Sequence, residues 1–212
     1  MVTTRRLLPI PAQSNWSPFQ RVAESIANRA RQLPMHTHER VEVLTYAIEG
    51  FATYQLENRA AESLERGSAR LLSSPGKVSH RISPDRGGAI RWFNLVVALP
   101  AGSAGGPQLQ SMGPQTPVVE EDTVLVRSLV GPKGPMTSSG GFACQELTFE
   151  NEGTTFRKVG ADHRAVLYAM SGRGLVDHKP IETGEVAFIE GLPGVSLQGE
   201  AGFWGFLATA PA

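Results

Sequence analysis

The chain has 212 residues, enough for one large domain or two small ones with a true hydrophobic core. Its 20 basic and 20 acidic residues cancel, so the overall charge would not attract nucleic acid or an anionic membrane, and neither is expected as a partner. The single cysteine, Cys144, excludes an intramolecular disulfide and a cysteine-based zinc cluster, so any metal chemistry must rest on histidines and carboxylates.

Short runs of β-branched and aromatic residues recur along the chain between glycine and proline turns. The 23 glycines and 15 prolines indicate frequent chain reversals, which is typical of an all-β sandwich or barrel. A helical stretch is expected only around residues 21–31. Strands are predicted at residues 41–48, 51–56, 69–72, 90–98, 123–130, 142–149, 165–170, 186–189 and 203–208.

The chain shows no targeting or membrane-spanning segment by its sequence. Prolines interrupt the apolar residues near the N-terminus, so no signal peptide is indicated. The most apolar stretch, residues 92–100, is far shorter than the ~20 residues that span a bilayer. Together with the single cysteine, this predicts a cytoplasmic protein.

A connector rich in glycine and proline, residues 100–117, divides the chain into similar halves. Each half has a strand that ends in a glycine turn, at Gly50 and at Gly172, and a second glycine, Gly67 or Gly184, that opens a further strand. This pattern indicates an internal duplication. We therefore predict one domain at residues 1–110 and a second at residues 111–212.

Three of the five histidines are predicted to form one site. His36 and His38 are two residues apart and lead into a strand, so both imidazoles would point to the same face and reach one metal ion. Glu42 has the same parity and would join them if the strand is regular. His80 follows a Pro-Gly turn that would return the chain toward the first pair. Three imidazoles and a carboxylate suit Fe, Mn, Ni, Cu or Zn.

The first half resembles the pirin family, a branch of the bicupins. The family signature H-P-H-R-G-F-E corresponds here to His36-Thr37-His38-Glu39-Arg40-Val41-Glu42, and the family's second block corresponds to residues 67–100, with His80 as its histidine. The resemblance implies an all-β fold of two tandem cupin-type barrels with few short helices, in which the first domain carries one divalent transition metal, iron as the first expectation. The second domain would lack metal ligands.

One departure from the family pattern affects the ligand set. The family's second block ends H-x-E with a metal-binding glutamate, whereas this chain has His80-Arg81-Ile82. Three outcomes follow. Glu42, at the glutamate position of the general cupin motif, is the fourth ligand and can serve as a general base; or the site has three histidines; or the metal is lost.

The resemblance implies two classes of function. The first is a metal-dependent dioxygenase that cleaves a flavonol or a similar small aromatic substrate. The alternative is a regulatory protein that acts on a protein partner, or a pocket that binds a small ligand without turnover. Trp92 and Phe93 are expected to pack in the core or line the pocket. Cys144 is expected to be a buried apolar residue, and His163 and His178 are assigned no functional role.

Overall fold

A computed structural model describes residues 2–6, 16–28, 33–85 and 88–212. These residues form strands, turns and bends and contain no helix, so none of them forms a helix that could cross a membrane. The all-β class predicted from the sequence is therefore confirmed. The chain divides into two compact units, residues 1–115 and 116–212.

The first unit consists of two antiparallel sheets. Its strands are β1 (Val2–Arg6), β2 (Phe19–Ala27), β3 (His36–His38), β4 (Val41–Glu49), β5 (Phe51–Leu56), β6 (Glu62–Glu65), β7 (Ala69–Ser74), β8 (Val78–Pro84), β9 (Ile90–Ala98) and β10 (Gln108–Met112). A six-stranded sheet has the order β1-β2-β9-β4-β7-β10, and a four-stranded sheet has the order β3-β8-β5-β6. Buried apolar side chains such as Leu72 and Ile82 form its core.

The second unit repeats this plan. Its strands are β11 (Val119–Glu121), β12 (Val124–Val130), β13 (Ala143–Thr148), β14 (Gly153–Lys158), β15 (His163–Ser171), β16 (Arg173–Val176), β17 (Lys179–Glu182), β18 (Val186–Glu190), β19 (Gly194–Gly199) and β20 (Trp204–Pro211). The two sheets have the orders β11-β12-β13-β20-β15-β18 and β14-β19-β16-β17. All nine predicted strands are present in the two units, with ends shifted by at most three residues.

The predicted sequence repeat corresponds to a structural repeat. Strand β4 pairs with β7 and β9 in the first unit, as β15 pairs with β18 and β20 in the second. Gly50 and Gly172 occupy matching turns with φ of 81° in both. A Cβ at Gly50 would lie 2.0 Å from the carbonyl oxygen of Ala89, so both the backbone conformation and the close packing require glycine there.

The helix expected around residues 21–31 is wrong. Residues 21–27 belong to strand β2, which pairs with β1 on one side and β9 on the other; residues 29–32 lie outside the described part of the chain. Ala, Glu and Arg in this segment favour a helix locally, but pairing on both sides overrides that preference. A bulge between Phe19 and Arg21 also breaks the alternation that would have revealed a strand.

Candidate metal centre

Strand pairing brings the three predicted histidines together. In the β3–β8 pair His36 lies directly opposite His80, and His38 lies diagonally from it, opposite Val78. Residues that face each other across antiparallel strands project from the same side of the sheet. The ring centroids of His36 and His80 are 5.2 Å apart, those of His38 and His80 are 5.0 Å apart, and those of His36 and His38 are 6.4 Å apart.

These separations are close to those of a three-histidine metal site. A metal bound by ring nitrogens at about 2.0–2.1 Å would hold neighbouring ring centroids about 4.5–5.5 Å apart. Both distances to His80 lie in this range, whereas the His36–His38 distance exceeds it. As they are placed, no group of three or more His, Cys, Asp or Glu side chains among the described residues could hold a metal ion. Coordination by all three rings would therefore require the His38 ring to move closer to His36, whose Nδ1–H is bonded to the Pro34 carbonyl.

Burial keeps the imidazoles neutral at physiological pH. It lowers the pKa of His80 to about 3, with further lowering by His38 and His36. Burial also lowers the pKa of His38 to about 4, with smaller contributions from His36 and Arg21. Burial lowers the pKa of His36 as well, although its hydrogen bond to the backbone of Pro34 opposes the shift. Neutral imidazoles are the form that binds a metal.

Two hydrogen-bonding features favour a ligand at this cluster. The Nδ1–H of His36 donates to the carbonyl oxygen of Pro34 at 3.1 Å, which leaves its Nε2 lone pair for a metal. His80 is 1% exposed, and neither of its ring nitrogens has a hydrogen-bond partner in the structure. A buried imidazole without a partner is costly, and a bound metal would satisfy it.

Glu42 is not brought to the histidines. Val43 lines the cavity beside them, so its neighbour Glu42 projects from the opposite face of β4, where it is fully buried. Residues 36–42 do not alternate along one strand, because the chain changes sheets between β3 and β4 at Arg40, which has a φ of 57°. This placement does not support the predicted roles of Glu42 as fourth ligand and as general base.

Apolar packing fills the position where the family pattern has its second carboxylate. Ile82 lies on β8 two residues after His80, on the same face, and is fully buried. It pairs across the sheet with Tyr54, whose ring centroid lies 5.0 Å from that of His80. The Tyr54 hydroxyl is buried without a hydrogen-bond partner, and burial raises its pKa. Of the three outcomes considered, this arrangement favours a set of three histidines.

A cavity of about 440 Å³ adjoins the three histidines inside the first unit. The four-stranded sheet contributes the histidine rings to its wall. From the six-stranded sheet come Arg21 and Ser25 on β2, Val43 on β4, and Trp92, Asn94 and Val96 on β9. Among the described lining residues Arg21 is the only one with a full charge at neutral pH. The cavity therefore joins one cationic group to a mixed polar and apolar wall.

Arg21, Ser25 and Asn94 were not predicted as cavity residues from the sequence, and Trp92 was expected either in the core or in the pocket. Their segments carry no motif, because these side chains converge only when β2, β9 and β4 pair. The alternation Trp92, Asn94, Val96 along β9 was the one local signal, since alternate residues of a strand share a face.

The second unit has a different set of residues at the matching positions. By strand pairing, Arg157 corresponds to His36, and Val195 corresponds to His80. Val195 belongs to the unit's apolar core, as does Val159, two residues after Arg157. Arg157 donates to Glu121 at 2.6 Å. This unit holds a larger cavity of about 520 Å³, but its lining includes no histidine.

Three further residues singled out in the sequence lie in the second unit. Cys144 is fully buried, and burial raises its pKa, so the thiol is not activated as a nucleophile. His163 is paired with the neighbouring Asp162 at 2.8 Å, and His178 is exposed in a turn. None of them joins the histidine cluster of the first unit.

No protein-family model matches the chain, and no curated protein matches it. Several solved structures are similar in fold. The protein GK1651 from Geobacillus kaustophilus has a TM-score of 0.90 and 19% identity, with 100% of this chain and 90% of that chain covered. Quercetin 2,3-dioxygenase from Acinetobacter baumannii has a TM-score of 0.85 and 16% identity, with 99% and 79% covered. The bacterial pirin YhhW from Escherichia coli, solved in complex with nickel(II), has a TM-score of 0.85 and 13% identity, with 99% and 92% covered.

Proposed function

Because this chain has the fold of the pirin-like bicupins, as the sequence resemblance predicted, we propose that it is a metal-dependent dioxygenase. In this proposal His36, His38 and His80 of the first domain bind one divalent transition metal, and the cavity beside them takes a flavonol or a similar small aromatic molecule. Iron is the first candidate and nickel the next. The observation that carries the proposal is the convergence of three neutral imidazoles, one of them buried with both ring nitrogens unpartnered.

The residues of the chain have separate tasks in such a reaction. When bound, the metal supplies Lewis acidity and, if it is redox-active, electron transfer. His36 is held in one orientation by the Pro34 carbonyl, and His80 is held between its neighbours by burial. Trp92, Val43 and Val96 form an apolar wall that excludes water from the substrate. The cavity volume lies within the usual range of about 300–1,000 Å³ for small-molecule sites.

A regulatory or ligand-binding protein is the second candidate. Its support is the replacement of the family's metal-binding carboxylate by the buried Ile82, which leaves a site with fewer protein ligands. In that case the metal or a small ligand would control binding to a protein partner. For either function the free, buried Cys144 is compatible with a reducing, cytoplasmic location.

Metal analysis of the purified protein tests both functions. We expect about one equivalent of a transition metal in the wild type and loss of the metal in His36→Ala and His80→Ala. His178→Asn changes an exposed histidine outside the first unit and serves as the matched control. Oxygen uptake with flavonols by the metal-loaded protein would support the dioxygenase. Stoichiometric metal without oxygen uptake would favour the regulatory alternative, and less than about a tenth of an equivalent in the wild type would refute both metal-based functions.

A further inference from the structure

The two units differ at one edge of the six-stranded sheet. In the first unit strand β10 pairs antiparallel with β7 and is the last strand of the sheet. In the second unit β18 takes the place of β7 and is itself the last strand of its sheet among the described residues. The cavity of about 520 Å³ lies beside this edge and is lined by β18 and the β16–β17 hairpin. Within residues 116–212 no strand therefore covers this side as β10 covers it in the first unit.

Strand register shows which side chains match between the two units. Val43 lies as far before the first of the matching turn glycines as Ala165 lies before the second. Val43 pairs with Leu72 on β7, and Ala165 pairs with Ile189 on β18. Leu64 on β6 and Ile181 on β17 match in the same way, because each pairs with the residue two places after its glycine.

The matched positions are covered in the first unit and line the cavity in the second. Leu109 of β10 packs against the core cluster that contains Leu64 and against the one that contains Leu72. Arg70, two residues before Leu72, is buried and bonded to Glu62 at 3.0 Å. In the second unit the side chains that match Leu64, Leu72 and Arg70 all line the cavity, and they are Ile181, Ile189 and Ala187. The methyl group of this alanine leaves space where the first unit holds a guanidinium.

The charged groups at the cavity favour a cation. Its described lining includes the carboxylates of Asp177, Glu185 and Glu190 and the ammonium of Lys179. Arg164 donates to Glu190 at 2.6 Å and offsets that charge. Asp177 and Glu185 accept hydrogen bonds from backbone N–H groups, which leave their charges in place. The balance is one negative charge, which a basic side chain of a ligand would complement.

We propose that the second unit binds an extended, basic peptide segment of a partner protein, which adds to the outer edge of β18 as an antiparallel strand. An apolar side chain of this segment contacts Ile181 and Ile189, as Leu109 contacts the matching clusters, and a basic side chain lies among the carboxylates. The carbonyl of Glu185 accepts from the N–H of Ala169 on β15, so the N–H of the next residue, Val186, points to the outer edge.

Two observations favour this occupant. Strand β18 contains no proline or lysine, the residues that commonly protect an edge strand from pairing. A second copy of the chain would bring its own acidic groups to the same edge, so charge favours a basic partner over self-association. The proposal does not depend on the metal site of the first unit.

Calorimetric titration of the full chain with synthetic peptides tests the inference. The probe is the capped heptapeptide Thr-Lys-Thr-Leu-Thr-Lys-Thr, whose lysines and leucine share one face as a strand. We expect saturable binding with a Kd below about 1 mM, and binding at least about tenfold weaker when alanine replaces the leucine. Glutamate in place of both lysines, or methylation of the backbone nitrogens that face β18, should abolish binding.

Variants of the chain test the same contacts from the other side. Ala187→Arg introduces the side chain of the matching first-unit position into the cavity and should weaken peptide binding more than about tenfold. Glu185→Gln keeps an acceptor for its backbone N–H but removes the charge, so binding should weaken about threefold at low salt. Glu57→Gln is the matched control, because this exposed carboxylate of the first unit also accepts a backbone N–H; it should leave the affinity unchanged.

Several results would overturn the inference. These are an absence of saturable binding, equal affinity for the glutamate or the methylated peptide, and an unchanged affinity in Ala187→Arg. Binding of isopentylamine as tightly as the peptide would identify a small amine as the occupant instead. Dimerisation of the chain that Val186→Pro abolishes would identify a second copy. None of these results bears on the metal content of the first unit, so the inference and the proposed function fail separately.

Discussion

Acidification should destabilise the metal-free protein because its core contains histidines that resist protonation. The pKa of His80 is about 3 in the folded protein, compared with about 6.5 in an unfolded chain. Between these values the unfolded chain binds a proton that the folded protein does not. The contribution of His80 to the free energy of unfolding is therefore fully present above about pH 6.5, and it is lost progressively as the pH falls toward about 3.

The size of the effect follows from the shift. Below about pH 6.5, each pH unit lowers the free energy of unfolding by about 1.4 kcal/mol per histidine until the pKa of the folded state is reached. His80 alone should lower the free energy of unfolding by about 1.4 kcal/mol between about pH 7.5 and pH 5.5. His38 has a pKa of about 4 but is partly exposed. We therefore expect its contribution to the free energy of unfolding to be about half that of His80. The expected total is about 2 kcal/mol.

His80→Phe isolates the main contribution. Phenylalanine keeps an aromatic ring against Tyr54 but cannot take up a proton. Urea unfolding at the two pH values, with a chelator present, should show that this variant loses about 1.4 kcal/mol of the pH-dependent difference. His178→Asn, at an exposed position, is the matched control. If His80→Phe retained the full difference, the assignment of the pH dependence to His80 would be refuted.

Three further substitutions test the placement of particular side chains. Ile82→Glu should lower the unfolding free energy of the metal-free protein by about 3 kcal/mol, because it buries a carboxylate. The same variant should bind the metal more tightly. An equal gain in metal affinity in Ile82→Gln would exclude coordination by the carboxylate as the cause. Glu42→Gln should leave metal stoichiometry unchanged, since Glu42 faces away from the histidines, and metal loss in this folded variant would contradict that orientation. Gly50→Ala should cost more than about 2 kcal/mol in thermal or urea unfolding, because the new Cβ meets the Ala89 carbonyl. Gly102→Ala, also at positive φ but with open space around it, should cost about 1 kcal/mol.

Much of the fold could be predicted because its signals are local. The predicted strands 51–56 and 90–98 have the same bounds in the structure. Runs of β-branched and aromatic residues between turn residues are a sufficient local signal for a strand. The short strands β6, β11 and β17 were missed because three or four residues carry too little pattern. Strand β2 was misread because its helix-favouring residues are overridden by pairing with distant strands.

Part of the candidate site was also predictable. His36 and His38 share a face because they are two residues apart on one strand, and the Pro-Gly turn before β8 indicated that His80 returns toward them. The structure brings these three together. Glu42 was misplaced because the same spacing rule assumes an unbroken strand, and the positive φ of Arg40 ends that continuity.

The sequence by itself determined that the chain is a repeat of two β-rich halves with a single histidine-rich segment in the first. Only the tertiary structure decided that Glu42 turns away, that Ile82 fills the carboxylate position, and that Arg21 faces the histidines. The physical reason is that a local pattern sets which residues of one strand share a face. The partners of that face come from the register of strands far apart in the chain, which a local pattern does not encode.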